Sequence, residues 1–179
     1  MPGAWFVSFR RSTRLLCGSA LVVVLGLVAT GTPGDGNDTA DRAIKARLAP
    51  QSLLLDVAGR DGRLVTVGER GHVLVSRDKG RSWTQADVPT RAQLTGVFMH
   101  DGRLGWAVGH DEVVLRTRDG GLTWERVHYA PEKEKPLLDV WFADGRSGLA
   151  VGAYGGLLAT HDGGDTWEAR SVHGEDDFH

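Results

Sequence analysis

The sequence predicts an all-β chain: a β-propeller of four-stranded antiparallel blades, with three blades present. Two observations lead there. Residues 76–83 (S-R-D-K-G-R-S-W) recur at 117–124 (T-R-D-G-G-L-T-W) and 160–167 (T-H-D-G-G-D-T-W), placing equivalent aspartates at Asp78, Asp119 and Asp162. These lie 41 and 43 residues apart, and a period of about 40–45 residues made of short strands is the signature of propeller blades. Between the aspartates, each copy breaks into short apolar runs separated by Gly- and Asp-containing turns.

The elements follow in the same order in every copy, giving blades at about 53–90, 94–130 and 137–172. Each opens with an apolar run: Leu54-Leu55-Asp56-Val57, Leu94-Thr95-Gly96-Val97-Phe98, and Leu137-Leu138-Asp139-Val140-Trp141-Phe142. Each run stops at D-G-R, beginning at Asp61, Asp101 and Asp144. Asp-Gly between apolar runs signals a hairpin, because glycine accepts positive φ and aspartate tolerates it. The second strand ends at Val67-Gly68, Val108-Gly109 and Val151-Gly152, and the third carries Leu74, Leu115 or Leu158. The fourth is expected to start at Trp83, Trp124 or Trp167. From the Val-Gly glycine to the aspartate the spacing is ten in all three copies, and the longest inter-blade connection is 131–136 (P-E-K-E-K-P).

The repeated aspartates have a structural rationale. A carboxylate at the head of a tight turn can accept hydrogen bonds from the main-chain N–H groups just ahead. Gly80, Gly121 and Gly164 supply a backbone conformation that a β-carbon resists. Ser76, Thr117 and Thr160 open the motif, Ser82, Thr123 and Thr166 add a second hydroxyl, and the tryptophan buries a large apolar surface. These residues are read as structural, and no catalytic residue is assigned.

Composition narrows the remaining classes. Arg10, Arg11 and Arg14 precede an uncharged stretch from residue 15 to 34, which holds an apolar core at 21–25 and then small residues at 29–31. This reads as a signal peptide over 1–31, or a membrane anchor, and implies export. A Gly- and Asp-rich linker and lead-in follow over 32–52. Cys17 is the one cysteine, so the exported part needs no disulfide and thiol catalysis is excluded. The net charge is −2, and without the three leader arginines 18 basic residues face 23 acidic ones. With no basic, aromatic-interleaved stretch, nucleic-acid binding is disfavoured.

The motif S/T-x-D-x-G-x-S/T-W is the Asp-box, or bacterial neuraminidase repeat. In its fuller form at residues 151–167 (V-G-A-Y-G-G-L-L-A-T-H-D-G-G-D-T-W) it resembles the photosystem II stability/assembly factor family of exported β-propellers. That resemblance implies a ring of about seven blades, so this chain is expected to be an incomplete ring. Residues 173–179 then read as the truncated start of a next strand. It also implies a non-enzymatic scaffold in the periplasm, or a lumen-equivalent compartment, that binds and stabilises a membrane protein complex without a cofactor or metal. In the family the turn before strand three carries glycine, matched here by Gly71 and Gly155. Glu112 replaces it in the second copy, and a different turn geometry is expected there.

Two surfaces are candidates for the partner. The D-G-R turns place Arg63, Arg103 and Arg146 at equivalent positions, and the resemblance implies an arginine-lined surface. The opposite rim carries Arg70, His72, His110, Asp111, Glu112 and Tyr154. His110-Asp111-Glu112 reads as a polar turn, because three consecutive residues cannot all face one ion from a regular strand. Membrane contact is expected only through the N-terminal segment, and open blade edges invite self-association. The alternative is a sialidase-like glycoside hydrolase or a glycan-binding propeller. Hydrolysis of that kind needs a tyrosine nucleophile with a glutamate partner and an arginine triad, whereas Tyr129 and Tyr154 stand outside any such set.

Overall fold

The computed structural model describes residues 41–171. The signal or anchor segment expected at 1–31, the first part of the linker and the tail 173–179 lie outside the described residues. The described chain forms three antiparallel sheets of four strands each, every sheet in simple sequential order. The first holds β1 (Leu54–Arg60), β2 (Arg63–Gly68), β3 (Val73–Ser76) and β4 (Thr84–Gln85). The second holds β5 (Leu94–Met99), β6 (Gly105–Gly109), β7 (Val114–Thr117) and β8 (Glu125–His128). The third holds β9 (Leu137–Phe142), β10 (Gly148–Gly152), β11 (Leu157–Thr160) and β12 (Glu168–Ala169). Each motif tryptophan sits one residue ahead of its fourth strand, as the last residue of the turn.

The strands explain their own composition. Side chains alternate between sheet faces, and in the middle blade both faces are covered. Ala107 and Leu115 point into a core shared with Val65, Val67, Val73 and Val75 of the first blade. Trp106, Val108 and Val114 point the other way, into a core with Leu137, Val140, Phe142, Ala150 and Leu158 of the third. With both faces buried, β6 shows no polar alternation and every residue in it is inaccessible. Each such Val or Leu contributes about 1.5–3 kcal/mol by burial.

Polar contacts hold the blades in register. The Val97 amide donates to Asp56 Oδ2 at 2.8 Å, and Thr95 Oγ1 donates to Leu137 O at 2.6 Å. The Val-Gly ends of the second strands have a steric cause. A Cβ at Gly68 would lie 2.0 Å from Leu53 O, and one at Gly109 would lie 2.1 Å from Gln93 O. No other residue fits where the first strand crosses so closely.

Two expectations change on inspection. The three D-G-R segments do not form the same turn. Asp61 and Gly62 have φ of 51° and 78° and close a two-residue loop between the paired Arg60 and Arg63, the primed hairpin that Asp-Gly favours. In the other two blades the loops are longer and their Asp-Gly pairs keep negative φ. There Asp101 Oδ1 accepts the amides of Arg103 and Leu104, both at 2.7 Å, and Asp144 Oδ1 accepts those of Arg146 and Ser147 at 2.7 and 2.6 Å. The one-residue difference in spacing from the D-G-R aspartate to the Val-Gly glycine, seven in the first copy and eight in the others, is its trace in the sequence.

The turn at Glu112 is the second correction. It keeps the geometry of its counterparts: Asp111 and Glu112 have φ of 61° and 48°, Arg70 and Gly71 56° and 71°, Tyr154 and Gly155 57° and 71°. Glu112 therefore holds a left-handed conformation that costs a non-glycine residue about 1–3 kcal/mol. Its surroundings differ instead. At Gly71 a Cβ would lie 2.1 Å from Thr90 O, so the first blade's connection excludes any side chain. In the second blade the longer connection forms a 3-10 turn at Pro131–Lys133 that leaves room for Glu112 and binds it. Lys133 Nζ lies 2.9 Å and His128 Nε2 3.3 Å from Glu112 Oε2, while the Ala130 amide donates to Asp111 O.

Ahead of β1, residues 41–52 are strapped along the first blade. Ala43 N donates to Val88 O, Gln85 Nε2 to Ile44 O and Lys45 Nζ to Gln85 O. Asp41 reaches the second blade, accepting from Arg126 Nη1 at 2.8 Å.

Candidate functional site

The antiparallel order puts the D-G-R and Asp-box turns at one end of each blade, and the turns between second and third strands at the other. At the first end the three Asp-boxes are near copies. In the first, Ser76 Oγ donates to Asp78 Oδ1 at 2.9 Å and accepts the Gly80 amide at 2.8 Å. Asp78 also accepts the Ser82 amide at 2.8 Å and the Ser82 hydroxyl at 2.6 Å. Thr117, Asp119, Gly121 and Thr123 repeat these contacts, as do Thr160, Asp162, Gly164 and Thr166. The Trp124 and Trp167 indoles close their turns on Gly121 O and Gly164 O.

These bonds favour the carboxylate over the acid. Hydrogen bonds from the Ser82 hydroxyl and amide and from Ser76 lower the Asp78 pKa from 3.8 to about 2, and the Thr166 and Thr160 bonds hold Asp162 well below the usual carboxylate range. At Asp119 burial acts upward but is outweighed by the bonds from Thr123, Thr117 and Leu122, so its pKa is also lowered. Carboxylates so saturated by their own turn are poor proton donors at neutral pH.

The arginines of the same end are not equivalent in three dimensions. Arg63 is half-buried, and its Nη1 donates across the blade junction to Gly102 O at 3.0 Å and Asp119 O at 2.9 Å. Arg103 is exposed, with a long bond from Nε to Arg118 O at 3.4 Å, and Arg146 is exposed. Arg63 thus bridges blades, while Arg103 and Arg146 face solvent.

At the other end Ile44, Ala46, Arg70, His72 and Arg91 line a cleft of about 280 Å³. Arg70 stands at the tip of its turn and is exposed. Arg91 also lines the cleft, with its Nε donating to Arg42 O at 3.0 Å. His72 forms the buried floor. Ser52 Oγ donates its single proton to Ala49 O, so the 2.9 Å contact with His72 Nδ1 makes that nitrogen the donor. Burial lowers the His72 pKa below 6.5, with Glu69 opposing and Arg70 reinforcing. The result is a cleft with one apolar wall, a neutral floor and two guanidinium groups.

Of the residues singled out from the sequence, Arg70 and His72 meet in this cleft, whereas His110 and Tyr154 sit on the tips of the neighbouring blades' turns, separate from it. Ile44 and Arg91 were not anticipated. The connections between blades share this end with the second turns, and that shared position was the available signal. Among the described residues no group of three or more His, Cys, Asp or Glu is arranged to hold a metal ion, and no helix is long and apolar enough to cross a membrane.

Known proteins place this geometry. The family described as Photosynthesis system II assembly factor YCF48 matches residues 38–136 and 129–179. The photosystem II stability/assembly factor HCF136 of Cyanidioschyzon merolae is 34% identical over 105 residues, covering 57% of this chain and 23% of that protein. Its counterpart in Arabidopsis thaliana is 27% identical over 86 residues, covering 44% and 21%. The chain thus spans less than a quarter of the length of these relatives. Among solved structures, YCF48 from Cyanidioschyzon merolae superposes with a TM-score of 0.58 at 25% identity over 68% of this chain and 41% of that one. A structure of YCF48 bound to D1 peptide gives 0.57 at 24% identity, over 65% and 38%, and shares the fold. With the family match running through all three described blades, the chain belongs to the Photosynthesis system II assembly factor YCF48 family.

Proposed function

We propose that this protein is a non-enzymatic scaffold, exported to the periplasm or an equivalent lumen, that binds a segment of a membrane protein and supports assembly or stability of its complex. The observation that carries the reading is the Arg70–Arg91 cleft, where two guanidinium groups flank an apolar wall. That combination suits an extended segment with both anionic and apolar side chains. A relative captured with a D1 peptide supports a peptide ligand of a membrane subunit. The exposed Arg103 and Arg146 make a second, weaker candidate surface at the opposite end.

The chemistry present argues against a sialidase-like role. A tyrosine nucleophile needs help to ionise, yet burial raises the Tyr129 pKa and Asp111 and Asp41 add to the rise. Tyr154 stands alone on an exposed turn. Titrating a D1 peptide into the full chain distinguishes the two candidate surfaces. Arg70→Ala and Arg91→Ala are each expected to weaken binding about tenfold, the equivalent of about 1.4 kcal/mol, and Arg103→Ala and Arg146→Ala to leave it unchanged. Unaltered affinity in both cleft variants would reject the cleft, and turnover of a sialidase substrate would reject the scaffold.

A further inference from the structure

The two junctions between described blades share one plan but are filled differently. Where the second blade meets the third, beside the Asp-boxes, Arg116 is buried among charges. Its Nε donates to Glu125 Oε1 at 2.7 Å, and its Nη1 donates to Asp165 Oδ1 at 2.6 Å and to Gly163 O at 2.9 Å. Arg118 Nε approaches the same Glu125 oxygen at 3.5 Å. Cations and carboxylates thus balance along the outer seam of that junction.

Aligning the Asp-boxes gives the counterparts where the first blade meets the second. Val75 stands for Arg116, Arg77 for Arg118, Thr84 for Glu125 and Leu122 for Asp165. The central cation and both carboxylates are replaced together, and the outer arginine alone is kept. The space that they fill in one junction is a cavity of about 260 Å³ in the other, lined by Val75, Arg77, Ser82, Thr84 and Leu122. The backbones still meet closely there. Asp87 N donates to Leu122 O at 2.9 Å and Trp124 N to Asp87 O at 3.1 Å, while Val75 Cγ2 lies 3.2 Å from where a Cβ on Gly121 would be. The cavity therefore comes from the side chains and not from blades held apart.

Its chemistry is one-sided. Val75 is buried and Leu122 half-buried, which makes an apolar floor and wall. Ser82 Oγ gives its proton to Asp78, and Arg77 is exposed, with no ion pair among the described residues. The site holds one positive charge beside apolar surface. The neighbouring junction shows which group satisfies an arginine in that position: a glutamate carboxylate. A carboxylate on an aliphatic stem matches both features, since the methylenes gain by leaving water and the charged ends pair at the mouth.

We propose that this cavity receives a glutamate side chain from a partner protein, its carboxylate on Arg77 and its methylenes between Val75 and Leu122. The contact lies at the Asp-box end, opposite the Arg70–Arg91 cleft, and does not depend on what that cleft binds.

Amide NMR spectra of the full chain in mild detergent, titrated with the capped peptide Gly-Leu-Glu-Leu-Gly, test this. The peptide should move the Ser82, Thr84 and Leu122 amide signals in a saturable way, and its glutamine analogue should bind about tenfold more weakly. Arg77→Ala should weaken the glutamate peptide by about the same factor. So should Thr84→Glu, which sets a carboxylate where Glu125 stands beside Arg118 and occupies the site from within. Both side chains are exposed, so the remaining amide signals should keep their wild-type dispersion. No shift at these three amides, equal binding of the two peptides, or undiminished binding in either variant each overturns the proposal. Shifts confined to Arg70, His72 and Arg91 also overturn it while leaving the cleft reading intact. Conversely, Arg70→Ala and Arg91→Ala should leave the Ser82, Thr84 and Leu122 shifts unchanged.

Discussion

Trp106 of the second blade stacks on Phe142 of the third, with ring centroids 3.4 Å apart and planes 9° from parallel. Trp167 meets the same phenylalanine edge-on at 5.9 Å. One residue of β9 therefore receives aromatic contacts from the neighbouring blade and from its own Asp-box. Phe142→Ala should destabilise the fold by about 3–5 kcal/mol. Phe142→Leu should cost less, since it preserves most of the buried volume. Urea denaturation followed by tryptophan fluorescence would measure both.

The Asp-boxes predict how stability responds to acid. Folded-state bonds lower the pKa of Asp78 from 3.8 to about 2 and lower those of Asp119 and Asp162. A group whose pKa is depressed on folding stabilises the native state above its unfolded value, and that contribution disappears as pH falls through the folded value. The Asp-box contribution to the denaturant midpoint should thus hold steady above pH 4 and drop between about pH 4 and pH 2. Asp119→Asn should flatten part of that drop and cost about 1–3 kcal/mol at pH 7, because an amide NH2 replaces the Oδ2 that accepts the Thr123 hydroxyl.

Arg63 and Arg146 occupy matching positions in the sequence but differ in consequence. Arg63→Ala leaves the carbonyls of Gly102 and Asp119 without their donor and should cost about 1–3 kcal/mol. Arg146→Ala alters an exposed side chain and should stay within about 0.5 kcal/mol of wild type. Paired thermal melts distinguish the two.

At Glu112, backbone strain and side-chain bonding oppose each other. Glu112→Ala keeps the left-handed backbone and abandons Lys133 and His128, so it should destabilise. Glu112→Gly loses the same bonds but relieves the backbone, and should be more stable than the alanine variant by about 1 kcal/mol. Gly71→Ala should be worse than either, because Thr90 O blocks its Cβ. Differential scanning calorimetry gives the order.

Much of this architecture is legible in the residues. The Asp-box spacing, the Val-Gly strand ends and the apolar runs each report a local constraint, and local constraints leave local patterns. What escaped was set between blades. Nothing near Arg63 reveals that its guanidinium crosses to Asp119, 56 residues away. Glu112 looked incompatible with its turn because the space that admits it is made by a connection about twenty residues later. The cleft combines Ile44, Arg70 and Arg91 from three separate segments, so no single stretch of sequence displays it. The Asp-Gly turns misled for a subtler reason: the same dipeptide serves as a primed turn or as an aspartate-capped loop, and one added residue selects between them.

Because β6 is enclosed on both sides by neighbouring sheets, the middle blade has no face of its own to lose first. Its main-chain amides should be the slowest in the molecule to exchange with deuterated solvent, opening only when the cores on both sides open together. The outer blades, each leaning on a single neighbour among the described residues, should exchange earlier. Protection would then fall away from the centre in both directions, as it does in stacked arrays whose units are held by adjacent contacts.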